Sequence, residues 1–221
     1  MMAHVKLHAF LALSIAATSF GCSNGKGPVA PPPTANAQQF APYQGGYRLP
    51  VDGEWKVART HYGAKNDQAY AVDLIAAADT PRSKRNADYP TYGQAIVADG
   101  PGVIATVVDG VAENEPGQVN NYEMHGNFVV IDHRNGEYSL FAHFIPGTIR
   151  VRVGEVVGMG QLLGQCGNSG HSTMAHLHWQ VMNNLAAHRA AGVPIRLLPY
   201  NKNGSLTAEP LQKGDRVSPA K

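Results

Sequence analysis

The sequence predicts a mainly β domain built on an antiparallel sheet with few short helices. Gly accounts for 24 and Pro for 15 of the 221 residues, and both residue types interrupt helices and favour turns. Stretches with helical periodicity are scarce, whereas short apolar or alternating runs recur at close spacing. Many short strands joined by turns are typical of a β-rich domain.

The predicted elements follow one another with short turns between them. The folded domain is expected to start near Tyr47, and residues 185–191 are the only stretch that fits a short helix. The β patterns cover residues 54–59, 71–76, 95–98, 102–108, 127–132, 138–144, 151–157, 161–166 and 175–182. Residues 194–200 and a final strand near 215–217 are expected to close the domain.

The charge balance excludes one class of partner. The formal net charge is +2, and the sequence has no dense stripe of lysine and arginine. Nucleic-acid binding therefore has no electrostatic support, and we expect no nucleic-acid partner. The short basic cluster at residues 82–85 is interpreted as a solvated loop.

Residues 1–22 have the features of an export signal. An apolar run over residues 9–20 is too short to span a bilayer and has the length of a signal-peptide core. A glycine and then Cys22 follow directly, as in bacterial lipoprotein signals. We therefore expect export to the periplasm or cell envelope, with a lipid on Cys22 as the membrane anchor. An ordinary secretory signal, cut near residues 16–18, is the alternative.

The remaining chain divides into a tether and a domain. Residues 23–46 are rich in Ser, Gly, Pro, Ala and Gln, a composition that cannot bury enough apolar surface to fold. Residues 47–218 are expected to form the folded domain. Cys22 and Cys166 are the only cysteines, so an exported chain has one disulfide or none, and a lipidated Cys22 leaves Cys166 as a buried thiol.

A His-x-His segment is the strongest chemical signal. The run Ala-His-Leu-His-Trp-Gln-Val-Met alternates as a strand does, which places Leu177, Trp179 and Val181 on one apolar face. His176 and His178 then project side by side from the opposite face. Because a Gly/Ser-rich turn precedes them, the segment suggests a metal or proton-transfer site.

Three further polar residues lie on or beside predicted strands. Asp73 interrupts an apolar strand, where a carboxylate is costly to bury unless it is paired or binds a cation. His61 and His143 each lie at the end of a β pattern. A histidine-rich set in one small β domain makes a shared site the leading hypothesis.

These residues resemble the lysostaphin/LytM-type zinc metallopeptidases. The matching segments are His61 with Asp73 in Ala-Val-Asp-Leu-Ile, His143 in Phe-Ala-His-Phe, the Gly-Asn-Ser-Gly turn and the His-Leu-His-Trp motif. The Val-x-x-Gly-x-x-Val-x-x-Gly-Gln-x-x-Gly run at residues 151–164 is also similar to a family segment. The resemblance extends over about residues 47–183.

The resemblance implies the family's antiparallel β fold with an open groove and a site for one zinc ion. The metal ligands that it implies are His61, Asp73 and His178. Two imidazoles and one carboxylate leave a fourth position for water, as in catalytic zinc sites. His143 and His176 match the two active-site histidines that are not ligands, and either of them can act as the base.

One spacing differs from many family members. Eleven residues separate His61 from Asp73, whereas many members have three. Asp67 is therefore the alternative ligand, although it lies in a polar run, and Asp73 is preferred. His171 is close to the site in sequence and is a candidate for its rim.

The resemblance implies an exported zinc metalloendopeptidase that hydrolyses peptide bonds of peptidoglycan crosslinks or stems. The alternative is a non-catalytic LytM-like lipoprotein that activates a cell-wall amidase. Such members typically lack several metal ligands, whereas all five active-site positions are filled in this chain. A metal-storage or sensing module would not require His143.

Overall fold

A computed structural model of the chain describes residues 41–64, 68–78, 82–185 and 190–221. The predicted signal at residues 1–22 lies outside the described residues, as do the tether up to residue 40, Asp67 and most of the predicted helix at 185–191. Across the described ranges, no helix has the length and apolar character needed to cross a membrane.

The described residues form an antiparallel β fold, as predicted. The strands are β1 (Trp55–Thr60), β2 (Val72–Ala76), β3 (Ala95–Val97), β4 (Gly102–Val108), β5 (Asn127–Asp132), β6 (Tyr138–Phe144), β7 (Val156–Val157), β8 (Leu162–Gln165), β9 (Leu177–Met182), β10 (Tyr200–Lys202), β11 (Ser205–Thr207) and β12 (Arg216–Pro219). Ten of them make one sheet in the order β11-β10-β12-β1-β2-β9-β6-β5-β4-β7, and β3 pairs with β8 in a second sheet. A 3₁₀ turn at Asn86–Asp88 is the one helical element among these described ranges.

The predicted strands agree closely with β1 to β6, β8 and β9, whereas the predicted strand at residues 151–157 is too long. Only Val156–Val157 of the predicted 151–157 strand is extended, because Gly154 turns the chain with a φ of 84°. Of residues 194–200, which were expected to help close the domain, Tyr200 begins β10. The sequence patterns did not predict β11. It pairs with β10 through a tight hairpin at Asn-Gly 203–204, where both residues have the positive φ that such a turn requires.

Strand β9 lies near the middle of the large sheet, and its two faces have different roles. Leu177, Trp179 and Val181 are fully buried in the main core, as their alternation predicts. The Trp179 indole N–H donates to the carboxylate of Asp99 at 2.9 Å. Asp99 also accepts a hydrogen bond from Ser139 at 2.6 Å. Burial raises the pKa of Asp99. Because the Asp99 carboxyl group has no access to water, the hydrogen bonds from Trp179 and Ser139 offset part of the cost of burying it.

Replacing Trp179 by Phe should lower the free energy of unfolding by about 2–4 kcal/mol, because it leaves a small cavity and removes a donor from a buried carboxyl group. Trp55→Phe is the matched control, since the Trp55 indole donates to the carbonyl of Asp52, an exposed residue. Urea denaturation of both variants measures the difference. Equal losses in the two variants would contradict a special role for the bond to Asp99.

Candidate active site

The antiparallel register between β2 and β9 brings together two residues that are far apart in sequence. Asp73 lies directly opposite His178. Residues opposite each other in an antiparallel pair project from the same face of the sheet. Val72 and Leu74 face the core and are fully buried, so Asp73 and His178 share the opposite face.

A β-bulge in β1 brings the third residue to this face. The pairing of β1 with β2 shifts by one residue between Val57 and Arg59, so that Arg59 lies opposite Asp73. Without this shift, simple alternation from the buried Val57 would point Arg59 and His61 into the core. The His61 backbone N–H donates to the Ala71 carbonyl at 2.9 Å and continues the pairing beyond the bulge. The hairpin thus joins His61 to Asp73 across the intervening eleven residues.

The three side chains present donor atoms to a common point. His61 Nε2 lies 3.1 Å from Asp73 Oδ2, and His178 Nδ1 lies 2.9 Å from Asp73 Oδ1. The three potential ligand atoms lie within 4.8 Å of one another. Two imidazole nitrogens and one carboxylate oxygen fit a zinc ion with an open coordination position. Asp67, the alternative ligand, lies outside the described residues.

Asp73 is in the charge state that a metal ligand needs. Burial alone would raise the pKa of its carboxyl group, but hydrogen bonds from His178 and His61 outweigh burial and hold the pKa well below its usual range. Asp73 is therefore an anion at neutral pH, and binding a metal ion there displaces no proton from the carboxylate.

His143 is held in one orientation at the end of β6. Its Nδ1 lies 2.8 Å from the carbonyl oxygen of Ser169. Because a carbonyl oxygen only accepts, Nδ1 must carry the proton, which leaves Nε2 as an acceptor in the neutral ring. The His143 backbone has a φ of 70°, a conformation that costs free energy in non-glycine residues and is common at functional sites.

His176 has the same tautomer. Its Nδ1 lies 3.0 Å from the Met174 carbonyl oxygen, and its Nε2 lies 3.8 Å from Asp73 Oδ1. The ring centroids of His143 and His176 are 4.6 Å apart. Burial, chiefly, lowers the pKa of both histidines, and neighbouring histidines lower it further. The site therefore holds two adjacent neutral imidazoles beside the donor set.

The site lies in a cleft of about 560 Å³ that all five predicted site residues line. His171 is exposed and lines the same cleft, as expected of a rim residue. His125, which had no interpretable pattern in the sequence, also lies in its wall. Sequence reasoning missed the carbonyl groups that orient the rings, since a carbonyl acceptor has no side-chain signature. The predicted buried thiol, Cys166, is fully buried and forms no disulfide with any residue that the structure describes.

Glu113 anchors the turn that orients His143. Both of its carboxylate oxygens lie 3.2 Å from the Asn168 backbone nitrogen, which donates to them. The Asn86 amide donates to the same carboxylate at 3.3 Å. Asn168 immediately precedes Ser169, whose carbonyl accepts from His143. Burial raises the pKa of Glu113 to about 7.

Comparisons with known proteins show similarity to one peptidase family. Residues 87–190 match the model of peptidase family M23. This match includes His143, His176 and His178, whereas His61 and Asp73 precede it. A stretch of 135 residues is 26% identical to peptidoglycan DD-endopeptidase ShyA of Vibrio cholerae serotype O1, and it covers 61% of this chain and 26% of that protein. The chain therefore spans only about a quarter of that relative.

Two solved structures are similar to part of this chain. The M23 metalloprotease pseudoalterin, described as from the deep sea, is 16% identical with a TM-score of 0.48, over 77% of this chain and 100% of that one. Lysostaphin from Staphylococcus simulans is 23% identical with a TM-score of 0.42, over 65% of this chain and 51% of that one. The match of residues 87–190 to peptidase family M23 agrees with the predicted resemblance to the lysostaphin/LytM-type peptidases.

The raised pKa of Glu113 predicts a pH dependence of stability. A carboxyl group with a higher pKa in the folded state binds more protons folded than unfolded, so the free energy of unfolding falls as pH rises from its ordinary value through about 7. Glu113→Gln removes this dependence, so we expect the variant to gain stability relative to the parent between pH 5 and pH 8. Urea denaturation at both pH values measures it, with the exposed Glu115→Gln as control. If the free energy of unfolding of Glu113→Gln differed from that of the parent by the same amount at pH 5 and pH 8, the raised pKa of Glu113 would be contradicted.

Proposed function

We propose that this protein is a zinc metalloendopeptidase that hydrolyses peptide bonds in peptidoglycan crosslinks or stems. The observation that carries the proposal is the convergence of three metal-binding donor atoms beside two neutral histidines in one cleft. The match of residues 87–190 to the model of peptidase family M23 supports peptide-bond hydrolysis. Similarity to a protein named peptidoglycan DD-endopeptidase supports the substrate class.

In this proposal, His61, Asp73 and His178 hold one zinc ion. When bound, zinc polarises a carbonyl group and lowers the pKa of a water molecule, which is the chemistry that peptide hydrolysis needs. Three protein ligands would leave one of four coordination positions for water or substrate, as in catalytic zinc sites.

His143 and His176 move the protons. An unprotonated Nε2 of this pair accepts a proton from the attacking water as the new carbon–oxygen bond forms. The same pair returns a proton to the nitrogen of the breaking carbon–nitrogen bond, so that an amine leaves. The carbonyls of Ser169 and Met174 keep each Nδ1 proton in place and stabilise the positive ring that forms during the reaction.

Export is part of the proposal. Residues 1–22 act as the signal, and a lipid on Cys22 anchors the chain to a membrane. Residues 23–46 serve as a tether that lets the domain, residues 47–218, reach the cell wall. Labelling cells with a radioactive fatty acid tests the anchor, and the label should be absent from Cys22→Ser. Label retained in that variant would contradict it.

Two variants should distinguish the proposed metal ligands from the proposed proton-transfer residues. His178→Ala should lose both bound zinc and hydrolysis, because one of three ligands is gone. His176→Ala should keep zinc and lose about 10²–10⁴-fold in kcat, because only proton transfer is removed. Metal analysis of each purified variant, paired with release of uncrosslinked peptides from cell wall, measures both effects. Loss of zinc in His176→Ala would contradict the division of roles.

Removing the metal should abolish hydrolysis reversibly. Treatment of the parent protein with a chelator is expected to stop peptide release, and added zinc should restore it. A protein that binds no zinc and releases no peptide, yet stimulates a cell-wall amidase, would overturn the proposal in favour of the activator hypothesis.

A further inference from the structure

We propose that Arg59 binds a carboxylate group of the substrate next to the scissile bond and thereby selects crosslinks that carry one. This inference rests on the proposed function, because it names the substrate class of the same site. It begins with the bulge in β1, which turns Arg59 out of the core and into the cleft.

Arg59 is the end of a row of residues that crosses the sheet beside the candidate metal site. It lies opposite Asp73 in β2, and Asp73 lies opposite His178 in β9. Directly opposed residues have Cα atoms about 4.5–5.5 Å apart. The arginine side chain is long enough to extend past Asp73, so its guanidinium can reach a group bound beside the donor set.

The Arg59 guanidinium has no partner among the described residues. Its side chain is exposed, and it forms no hydrogen bond or ion pair there. By contrast, Arg48, Arg85, Arg196 and Arg216 each pair with a carboxylate. The nearest carboxylate oxygens in the row, those of Asp73, already accept from His61 and His178.

The charge of the cleft favours an anionic ligand. Among the described residues that line it, Arg59 is the only lysine or arginine and Asp73 is the only acidic residue. A divalent metal ion would more than balance Asp73, so the cleft would carry a net positive charge. A guanidinium presents a planar pair of N–H donors that matches a carboxylate, and charge-assisted bonds of this kind are strong and directional.

The position of the charge distinguishes two kinds of crosslink. When a crosslink is formed through the amino group of a diamino diacid, the carbon that bears the scissile amide nitrogen also bears a carboxylate. A polyglycine bridge has no carboxylate beside any of its internal amide bonds. Arg59 therefore favours the diamino-diacid crosslink as substrate.

The test compares two synthetic crosslinked peptides that differ only at this carboxylate, one with the free acid and one with the primary amide. The parent protein should cleave the acid with a kcat/KM about tenfold higher than the amide. Arg59→Gln should lose that preference through a higher KM for the acid, so that its kcat/KM values for the acid and the amide become nearly equal. Arg59→Lys should restore part of the preference, since charge returns without the planar pair of donors.

Lys56→Gln is the matched control, because Lys56 is an exposed cation on the same strand that does not line the cleft. It should retain the full preference. If Arg59→Gln slows both peptides equally, or neither, the inference is wrong. If the parent releases peptides from cell wall but cleaves neither synthetic peptide, the inference is wrong. If it releases nothing from either substrate, the proposed function fails, and calorimetric binding of the two peptides decides the inference alone. Tighter binding of the acid, lost in Arg59→Gln, would support it, and equal binding would overturn it.

Discussion

The geometry of the site depends on how three antiparallel strands are aligned. Asp73 lies opposite His178 because β2 and β9 pair in one register, and a shift of one residue would send either side chain into the core. The bulge in β1 is equally necessary, because it moves His61 from the core side of the sheet to the cleft side. The main core beneath fixes this alignment through Val57, Leu74 and Trp179, which are fully buried. Packing on one face of the sheet thus determines the chemistry on the other.

The turns around the sheet determine the protonation of the site. Ser169 and Met174 belong to the Gly/Ser-rich segment before β9, and their carbonyls fix the tautomers of His143 and His176. Close backbone approach makes this turn possible, since a Cβ on Gly170 would lie 2.6 Å from the Gly126 Cα, and Gly170 has a φ of 76°. Burial then keeps both rings neutral, so the unprotonated nitrogen of each is available to accept a proton.

Sequence patterns predicted the strands well where each strand has one buried face. The bounds of β4, β5 and β6 agree with those expected from alternation and turn residues. The sequence patterns gave a wrong prediction over residues 151–155, where apolar residues alternate in a turn. They also missed the short hairpin that Asn203 and Gly204 close. Alternation reports burial along one strand, and it contains no information about which strand pairs with it.

The candidate site was predictable in composition but not in geometry. Histidines and an aspartate on β patterns, together with the family resemblance, indicated the five residues that the cleft contains. The bulge that places Arg59 and His61 was not predictable, because a bulge depends on the pairing of two strands. The hydrogen bond from the Asn168 backbone N–H to the Glu113 carboxylate was missed for a similar reason, because it joins two loops that are distant in sequence.

X-ray absorption spectroscopy of the zinc-loaded protein tests the central claim, that β1, β2 and β9 together form one metal site. We expect a single zinc ion with two imidazole nitrogens and oxygen donors at about 2.0–2.2 Å. In His61→Ala, zinc should be lost or retain only one imidazole. A sulfur donor, or a shell of oxygen atoms alone, would contradict a site formed by His61, Asp73 and His178.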